Sequence, residues 1–215
     1  MSASPVPPER ESPAPYPSPH EFEAALGEAL AARDIDRMLA AVRRFAEDNP
    51  PPRGHQFHAP AQGLLAGFEG QVGPPLPREQ ATSWFHMLLY NAGNVALRAE
   101  EPLLAIELYK QSLLGHRHPS IFNNIGAALK RLGRMEEALI WYLRAIQEDP
   151  GYAIGYLRAA ALAGAHALPG ADPQEYLRRF QAHGGTAQQL AQYLAGCGPE
   201  EAAALMRLLE AEPAP

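Results

Sequence analysis

Apolar residues recur along most of the chain at the three- and four-residue spacing that is typical of amphipathic helices. Glycine, proline and short polar stretches divide this pattern into helical segments, which we predict at 21–33, 35–47, 81–98, 103–114, 120–132, 135–149, 152–165, 173–183, 186–195 and 199–210. The sequence lacks segments in which apolar and polar residues alternate with enrichment in β-branched residues, so no strand is predicted. The pattern indicates an all-α protein built from helix pairs.

Prolines are concentrated in two stretches of the chain, residues 1–19 and 50–77. Dense proline excludes regular helix because each ring removes a backbone donor and clashes with the preceding turn. We therefore expect a disordered Pro-rich tail at 1–19 and a Pro/Gly-rich loop at 51–78. Two roles stay open for this loop: an arm that folds over a groove, or a linker that lets residues 20–50 move independently.

The helical segments repeat with a period of 33 to 34 residues. A shift of 33 matches Asn91 with Asn124, Gly93 with Gly126, Ala105 with Ala138, Leu108 with Trp141 and Tyr109 with Tyr142. A shift of 34 places Phe122, Gly126 and Leu129 onto Tyr156, Ala160 and Ala163. Tiny residues such as Gly126 and Ala138 suit helices that pack about 8–10 Å apart, with large apolar side chains on either side. The period predicts stacked helix pairs that share a continuous core.

Residues 119–150 resemble a tetratricopeptide repeat (TPR). The resemblance is carried by Phe122, Ile125, Gly126, Leu129, Gly133, Ala138, Tyr142, Ala145, Asp149 and Pro150. Residues 86–118 match the repeat more loosely, because Ser112 replaces the last alanine and no terminal proline occurs. Residues 153–183 keep the first helix of the repeat and then depart from its pattern, and residues 21–50 are only repeat-like.

The resemblance implies an α-solenoid of antiparallel helix pairs in a right-handed superhelix, whose first helices line a concave groove for an extended peptide or a partner helix. We expect a repeat-like helix pair at 20–50, TPR-like repeats at 79–183 and C-terminal capping helices at 184–212. The amphipathic spacing of the last segments indicates that they cover the exposed end of the stack with Leu190, Tyr193, Leu194, Leu205, Leu208 and Leu209.

The inward faces of the first helices would present amides, cations and a few apolar groups, with no carboxylate among them. The expected partner-binding residues are Tyr90, Asn94, Arg98, Asn123, Asn124, Lys130, Arg131, Leu157 and Arg158. Amides can bind an extended backbone through both donors and acceptors, and the cations favour an acidic partner. Tyr90 and Leu157 are the expected apolar anchors. The predicted partner is a protein or peptide of acidic or mixed character.

Some TPR proteins bind the acidic C-terminal tail of heat-shock chaperones through a carboxylate clamp. Asn94, Asn124 and Arg158 fall on clamp positions in this sequence. Tyr90 and Ile154 occupy the two lysine positions, which leaves the clamp incomplete.

Composition narrows the classes of partner. The chain has 18 Lys and Arg against 24 Asp and Glu, and this net charge of −6 argues against a nucleic-acid-binding protein that relies on bulk positive charge. Cys197 is the single cysteine, so an internal disulfide and a cysteine-based zinc site are excluded. No apolar run reaches the roughly 18–20 residues that span a bilayer, and the N-terminus lacks the features of a secretory signal. We expect a cytoplasmic protein that binds neither nucleic acid nor membranes.

The sequence offers few groups for catalysis. His55 and His58 lie in Pro/Gly-rich sequence and His116 and His118 in a turn, and neither pair has a carboxylate or cysteine spaced to complete a tetrahedral metal site. Phosphate-binding glycine loops and a nucleophile elbow are absent, and Cys197 has no histidine nearby. We expect no catalytic activity, no cofactor and no metal.

These observations predict a protein–protein interaction adaptor or scaffold that binds a partner segment in a concave groove. A secretion-type TPR chaperone for an apolar client and a regulatory module of a separate enzyme are the alternatives. Self-association through an exposed repeat end is a third, and the sequence predicts no particular oligomeric state.

Overall fold

The computed structural model describes residues 19–48 and 78–211, and all regular structure in these ranges is helical. The helices are α1 Pro19–Ala31, α2 Ile35–Asp48, α3 Arg78–Arg98, α4 Pro102–Leu113, α5 Pro119–Arg131, α6 Met135–Glu148, α7 Ala153–His166, α8 Pro173–Ala182, α9 Ala187–Gly196 and α10 Pro199–Glu210. The predicted all-α class is confirmed. The expected tail, apart from Pro19, and the expected Pro/Gly-rich loop, apart from Arg78, lie outside the described residues. The hypothesis that this loop folds over the groove is therefore untested.

Consecutive helices pack as pairs: α1 with α2, α3 with α4, α5 with α6, and α7 with α8. The second helix of each of the first three pairs then packs on the first helix of the next pair, and α3 also contacts α5. Each pair leaves an apolar face that the following pair covers, so the stack shares a core along its length. This arrangement confirms the predicted solenoid of helix pairs.

Gly93 and Gly126 allow the two helices of their pairs to approach closely. A Cβ atom on Gly93 would lie 2.5 Å from Cε1 of Tyr109, and one on Gly126 would lie 2.5 Å from Cε1 of Tyr142. The Gly126 position also faces the backbone oxygen of Ala138 at 3.0 Å. The sequence period of 33 therefore corresponds to the same glycine–tyrosine contact in two successive pairs.

The turn inside each helix pair has a residue with a positive φ one or two positions after the first helix ends. These residues are Arg33, Glu100, Gly133 and Ala167, with φ of 53°, 63°, 74° and 48°, and the longer turn between α7 and α8 also contains Gly170 with φ of 70°. In the first three pairs, the next backbone N–H donates to the carbonyl oxygen five residues before it: Asp34 to Ala29, Glu101 to Ala96, and Arg134 to Leu129. Such left-handed residues complete the hydrogen bonding of a helix end before the chain reverses.

Ser112 shows how the second pair accommodates its departure from the repeat pattern. The side chain is completely buried, and its hydroxyl donates to the backbone oxygen of His86 at 2.6 Å. On the neighbouring turn, Nδ1 of His86 lies 2.9 Å from the backbone oxygen of Gln111. Because buried hydroxyls need a partner, this bond lets serine stand where the repeat has alanine.

The core runs through the stack as two apolar clusters of the described residues. The larger extends from α1 to α7, and the stacked rings of Phe22 and Phe45, 4.2 Å apart, join α1 to α2 within it. The smaller joins α7, α8 and α10 and includes Leu157, Phe180 and Leu205. The helix α10 packs mainly on α7, so the C-terminal segment lies against the last repeat.

Candidate functional site

Four of the predicted partner-binding residues form one hydrogen-bonded network on α3 and α5. Asn124 Nδ2 donates to Asn94 Oδ1 at 2.9 Å and to the Tyr90 hydroxyl at 3.3 Å. Asn123 Nδ2 donates to Asn124 Oδ1 at 3.3 Å. The Tyr109 hydroxyl from α4 donates to Asn94 Oδ1 at 2.8 Å. We call these five residues the amide network.

Tyr109 orients the amide network from below, and the sequence analysis gave it no such role. Its ring is completely buried, and burial, followed by the nearby Tyr90, raises the pKa of its hydroxyl above the ordinary value. The hydroxyl therefore stays protonated at neutral pH and can donate to Asn94. The period that relates Tyr109 to Tyr142 identified it as a repeat residue, but the bond to Asn94 depends on how α3 and α4 pack.

The amide network has donors left for a partner. Among the described residues, Asn94 Nδ2 makes no recorded hydrogen bond, and the Tyr90 hydroxyl acts only as an acceptor. Both residues are half-buried, so part of each side chain reaches the surface. These groups can donate to backbone carbonyls of an extended segment.

Two predicted contact residues are removed from the groove surface by burial. Leu157 is 0 % exposed and belongs to the smaller apolar cluster, so it cannot anchor a partner on the surface as predicted. Asn123 is 3 % exposed, and its Oδ1 has no hydrogen-bond partner among the described residues. Its role is confined to supporting Asn124. The helix face was assigned from spacing alone, and the neighbouring helices bury more of it than that spacing indicated.

Of the predicted partner-binding cations, Arg98 and Arg131 are the exposed ones. Arg98 ends α3 and is exposed. The Arg131 side chain is 43 % exposed, lies 3.8 Å from Glu100, and donates through Nη1 to the backbone oxygen of Leu97. That last bond directs the guanidinium toward the C-terminal end of α3, next to Arg98.

Lys130 is already paired with a carboxylate of the same chain. Its Nζ lies 2.7 Å from Oε2 and 2.9 Å from Oε1 of Glu201, which lies in the first turn of α10. The Tyr193 hydroxyl from α9 donates to the same Oε2 at 3.0 Å. The first helices themselves present no carboxylate here, but α10 brings one to Lys130. We call Lys130, Tyr193 and Glu201 the Glu201 cluster.

Arg158 lies beneath α9. Its guanidinium carbon is 5.9 Å from the centre of the Tyr193 ring, a cation–π contact. Arg158 Nε and the Tyr142 hydroxyl are both buried without a hydrogen-bond partner among the described residues. The buried Nε and the contact with the Tyr193 ring leave less of this side chain available to a partner than its position in the repeat indicated.

A cavity of about 530 Å³ lies between the first helices of the repeats and α9. Its walls are Leu97, Asn124, Ala127, Lys130, Arg131, Ile154, Arg158, Gln189, Gln192, Tyr193, Gly196 and Cys197. Sequence spacing did not place the residues from α9 at the groove, because it indicated only a cover for the end of the stack. The polar side chains of Gln189 and Gln192 could have indicated a binding surface. The surface that they face, however, depends on the path of the chain after α8.

The described residues contain no group of three or more His, Cys, Asp or Glu side chains that could hold a metal ion. His116 and His118 have parallel rings 6.1 Å apart, and His118 Nδ1 accepts a hydrogen bond from the Ser120 backbone at the start of α5. His55 and His58 lie outside the described residues. Within 19–48 and 78–211, no helix is both long and apolar enough to cross a membrane.

Comparison with known proteins finds repeat proteins, while no protein-family model matches the chain. A 72-residue segment is 39% identical to the TPR repeat-containing thioredoxin TTL4 of Arabidopsis thaliana, covering 33% of this chain and 11% of that protein. A crystal structure of MamA aligns over 81% of this chain and 93% of its own, with 12% identity and a TM-score of 0.43. A crystal structure of YrrB, described as a TPR protein with an unusual peptide-binding site, aligns over 90% of this chain and 86% of its own, with 14% identity and a TM-score of 0.46.

Proposed function

We propose that this chain is a tetratricopeptide-repeat protein, because its helix pairs stack with a period of 33 to 34 residues, and that it binds an extended segment of a partner protein in the groove lined by α3, α5 and α7. Stacked repeats of this kind present long concave surfaces because each pair adds its first helix to the same side. The protein acts as an adaptor or scaffold and carries out no reaction of its own.

The amide network is the observation that carries this proposal. Asn94 and Asn124 come from successive repeats. Asn94 Oδ1 accepts hydrogen bonds from both Asn124 Nδ2 and the buried Tyr109 hydroxyl. This sharing holds both amides in place before a partner arrives, and binding to a pre-ordered surface costs less conformational entropy. Amide groups can bind both the donors and the acceptors of an extended backbone.

The side chains around the amide network support a partner of acidic and mixed character. Arg98 and Arg131 are accessible cations at one end of the network, and their field would favour an acidic segment. Leu97, Ala127 and Ile154 add apolar surface in the adjoining cavity. This mixed surface favours an adaptor over a chaperone for a purely apolar client, which stays an alternative prediction together with a regulatory module of a separate enzyme.

The proposal is tested by reversing the accessible charge while leaving the fold intact. Arg98→Glu combined with Arg131→Glu is compared with the parent chain in a pull-down from native lysate, read by quantitative mass spectrometry. We expect proteins captured by the parent to be lost, about tenfold or more, from the double variant, because two attractive charges become repulsive. Lys130 is left unchanged because its replacement would also break the Glu201 cluster.

The matched control is Arg37→Glu combined with Arg178→Glu, two exposed arginines on α2 and α8. This variant has the same net charge as the groove variant, so it should retain the captured proteins. Circular dichroism verifies that both variants keep the helicity of the parent. An unchanged set of captured proteins in the groove variant would contradict the proposal.

A further inference from the structure

The Glu201 cluster joins the C-terminal helices to the floor of the groove. The Glu201 side chain is 5 % exposed, and the Lys130 side chain on α5 is 26 % exposed. Glu201 receives hydrogen bonds from the Lys130 ammonium and the Tyr193 hydroxyl, so α5, α9 and α10 meet at one carboxylate. Charge-assisted hydrogen bonds of this kind are the stronger ones in proteins.

The helix α9 has little apolar packing of its own. None of its residues is buried, and Leu190, Tyr193 and Leu194 are only partly covered by the smaller apolar cluster. By contrast, Ala204 and Leu205 of α10 are buried against the last repeat. Elements with few buried contacts open at low free energy. The polar contacts of Tyr193 are thus a large part of what holds α9 over the cavity.

We propose that α9 is a movable cover for the C-terminal end of the groove. In the free protein, Glu201 occupies the position next to Lys130 that a carboxylate of an acidic partner segment would take. The acidic partner binds by displacing Glu201 from Lys130, and α9 moves with the loss of the Tyr193–Glu201 bond. The part of this proposal that concerns the partner rests on the proposed function; the movement of α9 does not.

Competition within one chain has a direct consequence for affinity. A carboxylate tethered next to Lys130 acts at a high effective concentration, in the millimolar range or above. An acidic segment from outside must therefore outcompete Glu201. Removing the charge of Glu201 leaves Lys130 without its partner and should tighten the binding of acidic peptides.

The test compares Glu201→Gln with Glu200→Gln, its exposed neighbour in the first turn of α10. Hydrogen exchange of the amides at 187–196 is measured by mass spectrometry in the full chain. We expect Glu201→Gln to exchange about tenfold faster in this segment, while Glu200→Gln matches the parent. Equal exchange in the two variants would overturn the proposal, because α9 would then be held by packing alone.

Cys197 provides a second readout because it is the single cysteine and lines the cavity. Burial and the charge of Glu201 raise the pKa of its thiol, so this readout uses Tyr193→Phe, which removes only the hydroxyl that donates to Glu201 and keeps that charge. We expect N-ethylmaleimide to alkylate Cys197 severalfold faster in Tyr193→Phe than in the parent at pH 7.5. If Glu201→Gln unfolds, Tyr193→Phe also replaces it in the exchange measurement.

A fluorescent octaglutamate peptide is the probe for competition, with octalysine as the charge control. We expect octaglutamate to bind Glu201→Gln about tenfold tighter than the parent and to speed exchange at 187–196 in the parent. Equal affinity for parent and variant would overturn the proposal that Glu201 competes with an acidic partner. The proposed function would be unaffected by that result. Its own failure would appear as an unchanged set of captured proteins for the Arg98→Glu and Arg131→Glu double variant.

Discussion

The close packing of α5 on α6 depends on the missing side chain of Gly126. The ring of Tyr142 and the backbone oxygen of Ala138 already occupy the space in which a Cβ atom would lie. Tyr142 is 1 % exposed and cannot turn away into solvent, and a backbone atom cannot move without shifting its helix. Glycine recurs at this position of the repeat because the facing tyrosine leaves no room for a Cβ atom.

Gly126→Ala should therefore destabilise the protein. Overpacking costs about 1–3 kcal/mol, and the better helix propensity of alanine returns only up to about 1 kcal/mol. Gly27→Ala is the matched control, because Gly27 lies inside α1 with no atom within 4 Å of an added Cβ. That variant should be more stable than the parent by about 0.5–1 kcal/mol. Urea denaturation followed by circular dichroism measures both, and a stabilised Gly126→Ala would contradict the proposed contact.

At the scale of the element, α3 and α4 are joined by His86 as well as by Gly93. The His86 ring lies against Gly115, where an added Cβ would be 2.1 Å from Cδ2 of the ring, and its Nδ1 faces the backbone oxygen of Gln111. Burial lowers the pKa of His86 below its ordinary value of 6.5, and the hydrogen bond to Gln111 opposes this only in part. The neutral ring is thus the form that the folded chain favours.

Because the pKa of His86 is lower in the folded state, the unfolded chain binds a proton more readily than the folded chain does. The contribution of His86 to stability is therefore complete above pH 6.5 and is lost as the pH falls through the pKa of the folded state. The free energy of unfolding should therefore decrease between pH 7.5 and 5.5, and His86→Gln should reduce this decrease. Identical pH profiles for His86→Gln and the parent would count against the role of His86.

The turns show how far local sequence predicts an element. Gly133 occupies its left-handed position for a reason that the sequence reveals, since glycine adopts positive φ without steric cost. Arg33, Glu100 and Ala167 adopt the same conformation at the corresponding turns, although their residue types give no such indication. The helix bounds were predictable within a few residues, and the conformation of these turns was not.

At the scale of the whole molecule, each repeat contacts mainly its neighbours, so a disturbance should remain local. Leu205 is completely buried where α10 covers α7. Leu205→Ala should cost about 2–5 kcal/mol, as is usual for a buried leucine. Its main effect should be faster hydrogen exchange in α7, α8 and α10, with α1 to α4 nearly unchanged. A uniform increase along the whole chain would show that the stack unfolds as one cooperative unit.

The groove shows where prediction from sequence ended. Tyr90, Asn94 and Asn124, which spacing placed on the inward faces of α3 and α5, form one hydrogen-bonded network. Leu157 is buried, and Lys130 is paired with a glutamate 71 residues away in the chain. Spacing identifies which side chains share a face, but it does not reveal which later segment covers that face.

The sequence by itself determined the helix pairs, their period and the glycine positions, because these follow from spacing and side-chain size within about 34 residues. Tertiary structure decided that α9 forms a wall of the cavity and that Glu201 pairs with Lys130. Those contacts join segments far apart in the chain, and their energies depend on distances and burial that local patterns do not encode.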